Sequence, residues 1–336
     1  MSKQPTLPNK SIMEIKLISN KKHILGLIFL LAALVAPINL HSQPSPIYPV
    51  SYRIFSPFVF NPAVAGSKDF ASASLTIGNY GDVNSQLATI NMRLSKPGNQ
   101  YFSAQSLPEF TGIGVGGYFF NETDDPTHNI GAGVTGSYHL PLSKDAVSFL
   151  SAGITARAVL NRYAGDTDLD NPAVNTLVPN IDAGLYYYSP SFYAGIAANN
   201  ILGAPDNPDS LGIYSIPLDR TYFLHIGYNI ILSTPENILL EPSLIITTGD
   251  SIPDEIIDIF KPGLKLYAGD FCVGTYLNDF NKISFFGQYK YSRTYLGAYF
   301  ELPWNSPYYK QPFLVEFTVG VNISSLKSGV ARAYHW

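Results

Sequence analysis

The chain has 336 residues, of which only 14% are charged and 13% aromatic, with 23 Tyr and 20 Phe. So few charges are out of keeping with an ordinary soluble surface, and a net charge of −4 offers no excess of Lys and Arg for nucleic-acid binding. Tyrosine in this abundance suits a membrane–water boundary, because its ring is apolar and its tip polar.

The amino terminus reads as a secretory signal over residues 1–42. Lys16, Lys21 and Lys22 form a basic region, an apolar run follows from Ile24 to Ala36, and Pro37 ends it. Leu40-His41-Ser42 then puts a small residue before a cleavage point at Gln43. The apolar run falls short of the roughly 20 residues a membrane helix needs, and no later run approaches that length. Met1 and Met13 are both suitable starts, because the residues between them add nothing a signal requires. Residues 43–69 are expected to form a periplasmic amino-terminal segment leading to the first strand.

From residue 70 onward the pattern has period two. Ile130, Ala132, Val134, Tyr138 and Leu140 alternate with Asn129, Gly131, Gly133, Thr135, Ser137 and His139. One face is therefore apolar and the other polar or small, as alternating side chains on a strand require. The pattern predicts fourteen strands, at 70–80, 85–94, 112–120, 129–142, 146–161, 180–188, 192–200, 221–230, 237–247, 255–267, 271–276, 283–290, 294–300 and 313–323. From the third strand on, short connections alternate with longer or equal ones, as expected of tight periplasmic turns and free outer loops. The 95–111 linker breaks that rule. The expected fold is all-β: an antiparallel transmembrane outer-membrane β-barrel of about 14 strands over residues 70–323, with a tail at 324–336.

Chemistry-bearing constellations are sparse. Cys272 is the sole cysteine, so no internal disulfide forms. His128, His139, His225 and His335 show no metal-ligand spacing, and no metal or cofactor is expected. Ser137 and His139 share a strand face, but no acidic residue stands near to orient the ring and Gly-x-Ser-x-Gly is absent, so hydrolysis is not expected. Asp166-Thr167-Asp168-Leu169-Asp170 begins like a calcium loop, but Asn171 and Leu177 stand where that loop requires Gly and Glu. By parity Arg157, Asp182, Tyr186, Tyr188 and Glu316 face the lumen, where they either line a pore or pack to close it.

Two segments carry a family resemblance. Ser51-Tyr52-Arg53-Ile54-Phe55-Ser56-Pro57-Phe58-Val59-Phe60 runs into Asn61-Pro62-Ala63-Val64-Ala65-Gly66, where Asn61 can bond its own backbone, Pro62 fixes φ and Gly66 tolerates positive φ. Pro179-Asn180-Ile181-Asp182-Ala183-Gly184-Leu185-Tyr186-Tyr187-Tyr188 continues through Phe192 to Asn200 as a hairpin, and Glu241-Pro242-Ser243-Leu244 is a weaker echo. The chain resembles the PorP/SprF family over residues 45–323. Within it Asn61, Pro62, Ala63, Ala65, Gly66, Asp182, Gly184, Tyr186 and Tyr188 stand at motif positions with a structural role. Arg53 departs from the family's usual aromatic, and the tail beyond Ile323 departs from its usual ending.

The resemblance implies an integral outer-membrane protein of Bacteroidota, tied to type IX secretion and gliding motility, that docks or helps export a large secreted adhesin or links the machinery to the outer membrane. Its implied partners are outer-membrane lipid and a secreted adhesin with a C-terminal sorting domain, periplasmic components of the secretion machinery, or both. The alternative is a passive outer-membrane channel for small or hydrophobic solutes.

Overall fold

The computed structural model describes residues 51–68, 70–95, 110–142, 148–164, 173–203, 220–249, 259–278, 282–303 and 313–324. The signal region, the acidic run at 166–170 and the tail beyond residue 324 lie outside the described residues.

Fifteen runs of strand follow one another in chain order: β1 (Phe70–Tyr80), β2 (Val83–Ser95), β3 (Phe110–Asp124), β4 (Thr127–Pro141), β5 (Phe149–Tyr163), β6 (Val174–Tyr188), β7 (Phe192–Asn199), β8 (Thr221–Tyr228), β9 (Ile230–Ser233), β10 (Ile238–Gly249), β11 (Phe260–Ala268), β12 (Phe271–Asn278), β13 (Lys282–Tyr291), β14 (Thr294–Pro303) and β15 (Leu314–Ser324). β8 and β9 both pair with β10 and form one strand broken at Asn229, so the wall has fourteen staves. Asn229 leaves the ladder to bond the β6–β7 turn, its N–H to Ser191 O at 2.8 Å and its side-chain amide to Pro190 O at 2.9 Å.

Each stave pairs antiparallel with its sequence neighbours, and β1 pairs β15 from Phe70↔Ser324 to Tyr80↔Leu314, which closes the ring. Closure matters because lipid offers no hydrogen bonds, so backbone N–H and C=O groups must find mates between strands. Side chains divide as the alternation predicts, with the polarity of a soluble protein reversed. Val134 is 73% exposed and its neighbour Thr135 2%, while Ile154 is 59% exposed and Thr155 0%. Polar pairs tie strands together on the inner face: Thr135 to Thr155 at 2.7 Å, Thr76 to Thr318 at 2.8 Å, and Asn161 to Asn129 at 2.7 Å. Outward aromatics collect toward both mouths, Tyr138, Tyr228, Tyr289 and Tyr291 near one, Phe119, Phe300 and Phe317 near the other. Such girdles are characteristic of membrane barrels.

We call the mouth where β1 begins and β15 ends the near mouth, and the opposite one the far mouth. Far-mouth links include 164–173, 200–220, 250–259 and 304–313, and near-mouth links include two-residue turns at Gly269-Asp270 and Ser292-Arg293. The near mouth also carries the 96–109 link, however, and the far mouth two-residue turns at Gly81-Asp82 and Asp125-Pro126. The expected alternation of loop length fails at β3–β4. Those strands continue through Asn121, Glu122, Thr123 and His128, leaving only Asp125-Pro126 between them, and the β4–β5 link is the longer one. Polar residues that suggested a loop are ladder residues here, since backbone pairing is indifferent to side-chain polarity once past the apolar band. β6 likewise begins at Val174, earlier than expected, and β11 at Phe260, later than expected.

Candidate functional site

The main departure from the sequence expectation concerns the amino-terminal segment. Residues 51–66 do not sit in the periplasm below the barrel; they lie within it. Tyr52, Phe58, Val59, Phe60, Ala63, Val64 and Ala65 are buried against inward side chains of the wall. The segment is a compact zigzag, with one helical turn, Tyr52–Phe55, and two 3-10 turns, Pro57–Val59 and Pro62–Val64. Asn61 opens the last turn by accepting the Ala63 N–H at 3.1 Å, Pro62 stands first in it, and Gly66 leaves it with φ +69°.

Wall and segment fit by hooks and gaps. The gaps are inward glycines. A Cβ on Gly153 would strike the Pro62–Ala63 backbone, one on Gly184 the Asn61 amide, and one on Gly116 the Phe58 ring at 2.8 Å. The hooks take up carbonyls that the short turns leave free. Ser151 donates to Ala63 O at 2.7 Å, and Ser137 and His139 both reach Ala65 O, at 2.6 and 2.7 Å. Ser56 joins Ser74 and Thr89 at 3.3 and 3.0 Å, and the Ser51 N–H donates to the Glu316 carboxylate at 2.9 Å. Aromatic contacts add area on both sides, Phe60 against Phe223 and His225, each at 5.3 Å, and Phe55 edge-on to Phe286 at 6.3 Å.

The Ser137–His139 pair has a defined geometry. His139 Nε2 faces a carbonyl, so it must carry the proton, and Nδ1 then accepts from the Tyr188 hydroxyl at 3.0 Å. A protonated Nε2 has no lone pair for the Ser137 hydroxyl 3.1 Å away, and both groups spend their hydrogens on Ala65 O. The arrangement clamps a backbone rather than activating a nucleophile.

The sequence-derived lumen residues fall as follows. Arg157 and Asp182 approach to 3.6 Å, and Asp182 accepts the Asn200 N–H at 2.8 Å, drawing the start of the β7–β8 link inward. Tyr186 stacks on Tyr188 and on His225, both at 5.4 Å, and Glu316 holds Ser51. A second buried centre lies outside the set that parity places in the lumen. Glu241 accepts from Lys265 at 2.7 Å, Tyr193 at 2.6 Å and Tyr267 at 2.8 Å. Its sequence signal was weak but present, because Lys261 and Lys265 alternate with the outward Leu264 and Leu266. A third group joins Asn278, Tyr299 and Glu301, with Tyr299 donating to Glu301 at 3.0 Å.

A closed antiparallel ring, greasy outside and polar inside, defines a membrane β-barrel, here one with its own chain in the bore. The chain belongs to the PorP/SprF family of type IX secretion system membrane proteins, whose family model matches residues 47–321. Fold and family together make it an outer-membrane protein associated with type IX secretion. No curated protein matches it. Among solved structures, the KdgM porin aligns at 10% identity over 74% of this chain and 98% of its own, with a TM-score of 0.32. BamA from Haemophilus ducreyi lacking POTRA domains 1–3 aligns at 11% identity, 76% and 70% coverage, and a TM-score of 0.36. The β domain of the Bordetella autotransporter BrkA gives 11%, 76%, 98% and 0.34.

Proposed function

We propose that this barrel is a docking component of type IX secretion, which holds a secreted adhesin bearing a C-terminal sorting domain, or periplasmic parts of the machinery, at the outer membrane. The observation that carries this reading is the bore occupied by residues 51–66, anchored at Ala63, Ala65 and Ser51. A passive channel for small solutes needs a bore it can keep open, and the matched glycine gaps favour a resident segment instead. Action by binding rather than turnover is supported by His139, whose ring nitrogens are both engaged in holding structure. Export with removal of residues 1–42 fits the same reading. Partner contact would fall on the far-mouth links 164–173 and 200–220, since long loops on a rigid scaffold commonly carry recognition.

The test is affinity isolation of the tagged barrel from native outer membranes in mild detergent. Stoichiometric recovery of a type IX component or a sorting-domain protein is expected. A preparation holding only the barrel and lipid, from cells actively secreting, would contradict the docking role.

A further inference from the structure

The segment in the bore leans on one side of the wall, where it packs against Leu87, Tyr118, Val159, Tyr186 and Phe223. On the other side a cavity of about 40 Å³ remains beneath Ile54 and Phe55. Its walls come from the near-mouth part of the ring: Ser72 early in β1, Gln288 late in β13, Tyr295 early in β14 and Asn322 late in β15. Lys68, two residues ahead of β1, joins this lining.

The place holds more positive charge than its acid balances. The charges that bear on Lys68 come from the Lys265 and Lys290 ammoniums and the Glu241 carboxylate. Glu241 is already taken by Lys265, Tyr193 and Tyr267. Among the described residues Lys68 has no ion pair, and its ammonium stands over the Phe70 ring, 5.3 Å from the centroid. Lys290 shares the inward face of β13 with Gln288 and pairs across the ladder with Tyr295, which brings a further cation to the mouth of the cavity.

The neutral groups suit the same ligand. The Ser72 hydroxyl and the Gln288 amide can each donate a hydrogen bond. The Asn322 side-chain oxygen is buried without a donor, and turning its carboxamide over presents the NH2 instead. An ammonium drawn out of water with no anion beside it is unfavourable, so a negative group is the occupant such a lining favours. One water needs roughly 10–15 Å³, so the space takes about three atoms of that size, the bulk of one carboxylate. A phosphate is larger, and a spherical halide would meet Lys68 but not donors that converge from β1, β13 and β15.

We propose that this near-mouth pocket is an anion site that takes one carboxylate group, with the Lys68 ammonium as counter-charge and the Ser72 hydroxyl and Gln288 amide as donors. A carboxylate seated there would be held between the resident segment and the β13–β15 wall.

Calorimetric titration of the purified full-length barrel in detergent tests this, with sodium acetate as the probe and sodium chloride as the comparison at equal ionic strength. Acetate should bind more tightly than chloride. Lys68→Met should weaken acetate by about tenfold or more, as loss of one partner of a charge pair does. Arg162→Gln removes an equal charge from an exposed position on β5 and should change nothing. Should Lys68→Met fail to assemble, Gln288→Met, which removes a donor and no charge, should weaken acetate to a smaller extent. A second arm compares a short peptide bearing a free C-terminal carboxylate with its amide. Binding of the free form that is lost on amidation assigns the pocket to a polypeptide's carboxylate, and binding of acetate alone assigns it to a free small carboxylate. No acetate binding, acetate binding unchanged by the pocket variants, or an equal response to chloride would overturn the proposal. None of these results touches the docking reading, which rests on residues 51–66 in the bore and not on this pocket.

Discussion

Gly153 shows how closely wall and segment are matched, because the atom it lacks would occupy the backbone of Pro62 and Ala63. Gly153→Val is expected to push the segment off its seat and cost about 1–3 kcal/mol, the usual range for overpacking. Gly136, one strand away, faces outward with nothing near its missing Cβ, so Gly136→Val should be close to neutral. Thermal unfolding in detergent checks the pair, and equal losses in Tm would remove the special role of Gly153. His139 supplies a second residue-level prediction. With Ser137→Ala and His139→Ala combined, Ala65 O is buried without a donor and the loss should be about 1–3 kcal/mol, whereas either single change leaves one hook in place and costs less.

Inward parity at single residues was legible because a strand turns alternate side chains to opposite faces, and Arg157, Asp182 and Glu316 could be placed on that ground alone. What each touches was not legible. Glu316 bonds the N–H of Ser51, a residue 265 positions away. No local pattern encodes so distant a pairing.

At the level of elements, β7, β10 and β11 meet in the buried Glu241–Lys265–Tyr193–Tyr267 group. Removing one partner of a buried ion pair strands the other, at about 3–5 kcal/mol. Glu241→Leu should be the worse single change, since it strands the Lys265 ammonium and takes the carboxylate acceptor from both tyrosine hydroxyls. Lys265→Met leaves Glu241 with two donors and should cost less, and the double variant Glu241→Leu/Lys265→Met should fall below the sum of the singles. Guanidinium unfolding of the four proteins measures this directly. Strict additivity would mean that the pair is not coupled in the folded barrel.

The elements themselves follow the alternation closely. β1 occupies Phe70–Tyr80 and β15 Leu314–Ser324, each within a residue of the sequence expectation. Misjudged boundaries occur where alternation and polarity disagree. β3 runs on through Asn121 and Glu122 because their backbones still pair with β4, and β6 includes Pro179 opposite Ala158 although proline is rare within a sheet. The break at Asn229 was invisible because its cause is a tertiary contact with the β6–β7 turn.

For the whole molecule, a closed wall was legible from composition and period, but the contents of the bore were not. The segment Ser51–Gly66 resembles a turn that introduces a first strand, and its apolar residues would be equally at home beneath a barrel or inside one. Only the complementary surface decides, with inward glycines on β3, β5 and β6 opposite Phe58, Pro62 and Asn61. That surface exists only once the ring has closed.

The central claim is that the chain's own residues 51–66 fill the bore. Conductance of the purified barrel in planar lipid bilayers tests it most directly, with the full-length protein set against a Gly153→Val variant. The account predicts no steady open state for the parent and recurrent openings for the variant, whose plug no longer seats. A stable open pore in the parent, unchanged by Gly153→Val, would contradict it.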